Sequence, residues 1–281
     1  MAIKKIDIKE LVASKKPGLA KWIPGFIYKG LGKLIHIKEI NEFLELYGDK
    51  QGLEYAAAMM EYLNLSFDVD GIENLPSVNE RVIFASNHPF GGPDGIALIA
   101  LLGNHYSSIK FPVNDFLMNL QNLNNVFVPI NKHGALGRNA VKELERVYAS
   151  DSQIIIFPAG LVSRKIKGTI QDLEWKKHFI AKAVEHKRAV VPIRIHGQNS
   201  KFFYNFAMWR RRLRIPVNLE MLLLPHETFI KRGLHLKISI GKPIPYTEFI
   251  GKDYSKVAEE LRCSQVCGVA KQQRTKKGQT Y

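Results

Sequence analysis

Seven short apolar runs, separated by turn residues and helical patterns, govern what this chain can fold into. They read "LSFDVDG", "RVIFASNH", "SSIKFPV", "NVFVPI", "QIIIFPAG", "AVVPIRIHG" and "LHLKISIGKPI". Each is rich in Val, Ile or Phe and breaks into Gly, Pro, Asn or Ser, which is the signature of a strand. Between them, 95–102, 115–120, 138–149 and 173–186 repeat apolar residues at helical spacing. Strands alternating with helices predict an α/β fold with a mostly parallel central sheet flanked by helices. Upstream, apolar residues at Leu19, Trp22, Ile23, Phe26, Ile27, Leu31 and Leu34, then a second stretch over 39–63, predict an N-terminal helical element. The organisation expected is a helical element over 1–64, an α/β domain over 65–262 and a basic tail over 263–281.

The chain has 281 residues, enough for a sizeable core, and its formal net charge is +15. Such a field attracts polyanions: nucleic acid, an anionic membrane face or an acidic carrier. Lys21, Lys29 and Lys33 lie off the N-terminal apolar stripe, so this segment reads either as a membrane-surface element or as a hairpin packed on its own domain. The stretch "FFYNFAMWRRRLRIP" mixes aromatics with Arg210, Arg211, Arg212 and Arg214. It suits RNA stacking, acidic headgroups or an acyl carrier, or a helix with one core face and one basic face. No run approaches the roughly 18 to 20 apolar residues of a spanning helix, and the N-terminus lacks the apolar core of a signal peptide. A cytoplasmic protein is expected. Cys263 and Cys267 then read as incidental, with no further ligands for a metal beside them.

The second run ends in "NHPFGGPDG", which places His88 and Asp94 in a loop of glycine and proline at a strand end, where α/β sheets collect their sites. Imidazole is the usual base near neutral pH, and it works best with a carboxylate on its other nitrogen. There is no Gly-x-Ser-x-Gly, so the pair suits a hydroxyl brought by the substrate. Gly91, Gly92 and Gly95 bring backbone freedom and exposed amides. The loop after the fifth run, "FPAGLVSR", ends at the same edge of the sheet.

Four blocks in order, "NHPFGGPDG", "VFVPINKHG", "IIIFPAGLVSR" and "AVVPIRIHG", resemble the signatures of the glycerophospholipid/lysophospholipid acyltransferase superfamily. The Asn-His-Pro-x-Gly-Gly loop is closest to its hemolysin-like bacterial branch. The resemblance implies His88 as the general base and Asp94 as the partner that orients it. It implies substrate-binding roles around Asn87, Gly91, Gly92, Gly160, Ser163 and Arg164, the last as an anion clamp if it is not a solvated surface arginine. Lys132 and Arg138, in "NKHGALGR", are a candidate anion site or a solvated turn.

The reaction implied moves a fatty acyl group from an acyl carrier protein or coenzyme A thioester to the hydroxyl of a lyso-lipid. No metal or resident cofactor is involved, and the enzyme would be peripheral on the inner face of the cell membrane. Two departures stand out. Five residues rather than four separate His88 from Asp94, and the glutamate usual in the third block is Ala159 here. The second departure favours an N-acylated amino-acid lyso-lipid over 1-acylglycerol 3-phosphate. A basic nucleic-acid- or lipid-binding protein without chemistry is the alternative, though no nucleic-acid motif is present.

Overall fold

The computed structural model describes residues 5–15, 18, 21–114, 117–130, 134–215 and 218–264. Four helices come first: α1 (Ile8–Lys15), α2 (Gly25–Leu34), α3 (Ile37–Tyr47) and α4 (Gly52–Tyr62). The rest of the chain weaves helices through strands β1 (Ser66–Asp70), β2 (Val82–Ser86), β3 (Ile109–Val113), β4 (Phe127–Pro129), β5 (Gln153–Ile156), β6 (Arg164–Ile166), β7 (Thr169–Gln171), β8 (Ala189–His196) and β9 (His235–Ile240). The helices are α5 (Gly92–Gly103), α6 (Gly134–Ala149), α7 (His178–Glu185), α8 (Lys201–Arg212) and α9 (Leu224–Phe229). Residues 254–264 are also helical.

The main sheet has the order β1-β9-β8-β2-β5-β3-β4. Its strands pair in parallel except at β8–β9, where Ile193 faces Ile240 in an antiparallel ladder. This is the mixed α/β architecture with a mostly parallel sheet and N-terminal helices. Every residue of β2 is buried, and its side chains alternate between two cores. Val82 and Phe84 join Tyr55, Leu98, Ile99 and Leu102 on one face, while Ile83 and Ala85 join Tyr148, Phe179, Ile180 and Val190 on the other. A strand covered on both faces reads as an unbroken apolar run, which is why β2 and β5 stand out in the sequence. Tyr55, Ala56 and Met60 of α4 belong to the same cluster as the strands, so this helix completes the core of the sheet.

Several helices differ from the periodic pattern, each for a visible reason. The stretch 39–63 divides at Gly48–Gln51, where Asn122 Nδ2 donates to the carbonyls of Gly48 and Lys50. Gly52 restarts the helix at φ +54°, against Asn125. The stretch 173–186 becomes helical only at His178, because the Lys176 amide donates instead to Pro158 O at 3.1 Å. Within 115–120 the described part is a 3-10 turn at Leu117–Asn119. The hairpin β6–β7 is an addition to the expected strands, turned by Lys167 and Gly168, both at positive φ as a two-residue hairpin turn requires. Cys263 Sγ lies 3.5 Å from Glu259, and Cys267 falls outside the described residues.

Arg188, just before β8, is fully buried. Its Nε donates to Tyr148 O at 2.8 Å and its Nη1 to Ser152 O at 2.9 Å, satisfying carbonyls at the end of α6 and in the turn before β5. Burial lowers its pKa to about 10, with Arg81 adding to the shift. Arg188→Met is expected to destabilise the fold by about 2–4 kcal/mol by leaving these carbonyls without donors. The measurement is a lowered urea midpoint at unchanged denaturant slope.

Candidate active site

β5 and β8 flank β2 and run parallel to it, so the loops after all three strands emerge at one edge. The loop after β2 is pinned first by Asn87. Its Nδ2 donates to Ile195 O at 2.9 Å, and its Oδ1 accepts from Ile195 N at 2.7 Å. The Asn87 amide thus imitates one more ladder rung to β8 and holds the backbone at the position where His88 begins.

Past Phe90 the chain turns through Gly91 at φ +104° and enters α5 at Gly92. Asp94, in the first turn of α5, is wholly buried. Its Oδ2 accepts from the amides of Phe90 (2.8 Å) and Gly91 (2.9 Å) and lies 2.9 Å from His88 Nδ1. The additional residue between His88 and Asp94 is absorbed by this turn and does not part them. Burial pushes the Asp94 carboxyl above its usual pKa, against the pull of His88 and the two amides. A carboxylate held by two amides can only accept from the ring, so Nδ1 carries the hydrogen and Nε2 is the nitrogen left to take a proton. The His88 ring lies flat on Phe157, the residue after β5, with centroids 3.9 Å apart. Its side chain is 17% exposed.

The third loop closes on Phe90. Asn199 Nδ2 donates to Phe90 O at 3.1 Å, and Gly197 sits at φ +133° where a Cβ would fall 2.1 Å from Phe90 Cζ. Only glycine allows that approach. Gly92 is similarly close to Thr228 of α9, and Leu224 of α9 covers Gly91. The Gly91 amide is engaged by Asp94.

The third-block residues sit directly beneath His88. Ser163 donates its amide to His88 O at 2.8 Å and its hydroxyl to Asp172 Oδ1 at 2.5 Å. Gly160 is exposed at φ +68°, beside Lys176 Nζ, and Ala159 is buried. Arg164 is neither solvated nor open. It is 4% exposed, its Nη1 donates to Val162 O, and its Nη2 meets Glu220 at 3.2 Å. Fully buried Glu220 also pairs with Arg210 Nε at 2.7 Å. Lys132 lies outside the described residues; Arg138 stands on α6, but its side chain is not among those described. Among the expected residues the structure therefore gathers Asn87, His88, Gly91, Gly92, Asp94 and Ser163, and turns Arg164 inward.

Asp172 is the residue that sequence reasoning passes over. Buried after β7, it accepts from the His88 amide at 3.2 Å, from Ser163 Oγ, and from Trp175 Nε1 at 3.0 Å. It carries no motif, and its one signal is a carboxylate set just before a tryptophan. Asp172→Ala is expected to speed amide exchange at His88 and Ser163 by about tenfold or more, the loss of one charge-assisted hydrogen bond. Asp172→Asn, which keeps an acceptor oxygen, is expected to fall between the two. Hydrogen–deuterium exchange of the two loops reads both.

Comparison with known proteins identifies the family. Residues 10–271 match the family described as Acyltransferase. The chain is 46% identical over 245 residues to the lyso-glycine lipid O-acyltransferase of Bacteroides thetaiotaomicron, covering 87% of this chain and 90% of that protein. It is 44% identical over 245 residues to the protein of the same name from Phocaeicola vulgatus, covering 87% and 88%. A crystal structure of the 1-acyl-sn-glycerophosphate (LPA) acyltransferase PlsC from Thermotoga maritima aligns over 93% of both chains at 19% identity, with a TM-score of 0.46. The chain belongs to the glycerophospholipid/lysophospholipid O-acyltransferase family and is an acyltransferase.

Proposed function

We propose that the protein transfers a fatty acyl group from a thioester of acyl carrier protein or coenzyme A to the hydroxyl of a lyso-glycine lipid. The observation that carries this reading is the buried Asp94 carboxylate holding His88 Nδ1, which leaves Nε2 as the base. As Nε2 takes the hydroxyl proton, the acceptor oxygen attacks the thioester carbon. Collapse of the tetrahedral intermediate breaks the C–S bond, the leaving sulfur receives the proton from His88, and ester and free thiol depart. Asp94 steadies the imidazolium between these steps.

The acceptor follows from two features and the relatives. The third block has Ala159 in place of a carboxylate, and Arg164 is already paired with buried Glu220, so an acceptor phosphate would compete with that carboxylate for the guanidinium. Two relatives above 40% identity are lyso-glycine lipid O-acyltransferases. Among the described residues no helix is long and apolar enough to cross a membrane. The enzyme is taken to work as a peripheral protein on the inner, anionic face of the cell membrane. Within the family, the Asn-His-Pro-x-Gly-Gly loop favours the hemolysin-like branch.

The test is acyl transfer from labelled acyl carrier protein and coenzyme A thioesters to a panel of lyso-glycine lipid, lyso-ornithine lipid and 1-acylglycerol 3-phosphate. Lyso-glycine lipid is expected to be the preferred acceptor, and His88→Ala to lose about 10²- to 10⁴-fold in rate. Transfer undiminished in His88→Ala removes the base, and a preference for the phosphate-bearing acceptor removes the substrate assignment.

A further inference from the structure

α8 is apolar on two sides. Phe203, Tyr204 and Ala207 face inward and are buried. Phe202, Phe206, Trp209 and Leu213, spaced by four, three and four residues, fall within about 60° of arc on another face. Phe206 is half-buried, while Phe202 is 58%, Trp209 65% and Leu213 65% exposed. Single exposed apolar residues are ordinary, but four in one line with two aromatic tips in solvent call for a partner. Exposed Lys201 and Arg212 lie about 90–110° round the helix from the stripe and border it on one side. Aromatic and aliphatic side chains bordered by arginine are the chemistry of a helix lying in a lipid interface, with the rings among acyl chains and the guanidinium groups on acidic headgroups.

The helix is also fixed to the reacting loops. Its Ser200 cap follows Asn199, which donates to Phe90 O, and Ser200 N is held by Glu227 of α9 at 2.9 Å. At its other end Arg210 meets Glu220, which meets Arg164, the neighbour of the serine that holds His88 O. Whatever α8 rests on therefore has a set orientation to His88. This supplies a role for Arg164 and Glu220 that the reaction does not use.

We propose that α8 is a membrane-docking helix, whose Phe202–Phe206–Trp209–Leu213 stripe and bordering Lys201 and Arg212 seat the enzyme on an anionic bilayer with the His88 loop turned to the interface. The inference extends the lyso-lipid reading above, since such an acceptor is delivered from a bilayer. It concerns a surface separate from the N-terminal segment.

The experiment measures partition of the full chain onto vesicles of phosphatidylcholine, with and without phosphatidylglycerol. Trp209→Ser/Leu213→Ser is expected to lower partition at least about tenfold. Lys201→Gln/Arg212→Gln is expected to lower it about tenfold or more on the phosphatidylglycerol vesicles at low salt, and little at high salt. In a Trp22→Phe background, where core-buried Trp175 adds an emission that vesicles leave unchanged, the spectrum is expected to shift to the blue on those vesicles through Trp209. Wild-type partition in both double variants, or unmoved Trp209 emission, overturns the proposal. So does intact vesicle binding accompanied by loss of binding to RNA or to acidic carrier protein. Partition requires no turnover, so His88→Ala is expected to partition like the wild type, and a failed acyl-transfer assay leaves this result readable.

Discussion

A carboxylate placed where no water reaches it organises this molecule's chemistry. Asp94 is buried, and burial of a charge is costly unless hydrogen bonds replace the solvent. Two amides and an imidazole do so at Oδ2, all three from the loop just before it, while Oδ1 is buried without a partner among the described residues. To deliver them the backbone must double back within a few residues, which requires glycine at position 91 and a helix starting at 92. The same contacts that hold Oδ2 aim the base. Catalytic geometry and local folding are then one event at this loop.

Around that loop the sheet acts as a frame. Parallel pairing of β5, β2 and β8 sends three connections to one edge, and each contributes a different kind of contact. From β5 comes the phenyl face of Phe157 under the imidazole. The chain after β8 brings Gly197 and Asn199 against Phe90. Asp172, beyond the small hairpin, holds the His88 and Ser163 donors together. Behind them the Arg164–Glu220–Arg210 group is a buried ionic bridge, whose desolvation cost offsets much of its attraction, so it adds little net stability. It ties α8 to the residue beside Ser163, whose amide holds His88 O.

Much of this was legible beforehand. All seven strands of the main sheet were readable, because fully buried β2 leaves an uninterrupted apolar run and half-exposed strands such as β1 and β9 alternate, each closed by turn residues. His88 and Asp94 were conspicuous as titratable groups in a glycine-proline loop. The β6–β7 hairpin was not, since Arg-Lys-Ile and Thr-Ile-Gln are too short and too polar to show alternation. Helix boundaries shifted wherever a distant group captured a backbone bond, as Asn122 does beyond α3 and Pro158 does before α7. Local periodicity carries no record of such partners.

The sequence alone determined the fold class, the end of the sheet where the loops gather, and the identity of the paired imidazole and carboxylate, because each rests on contacts within a few residues or on patterns of one element. Only the tertiary structure decided that Asn87 serves the backbone of β8, that Arg164 turns inward to Glu220, and that Asp172 supports His88 across 84 positions of chain. It also decided which apolar face of α8 is covered and which meets solvent. Those outcomes depend on which groups close packing brings together, and helical spacing reports an apolar face without reporting its neighbour.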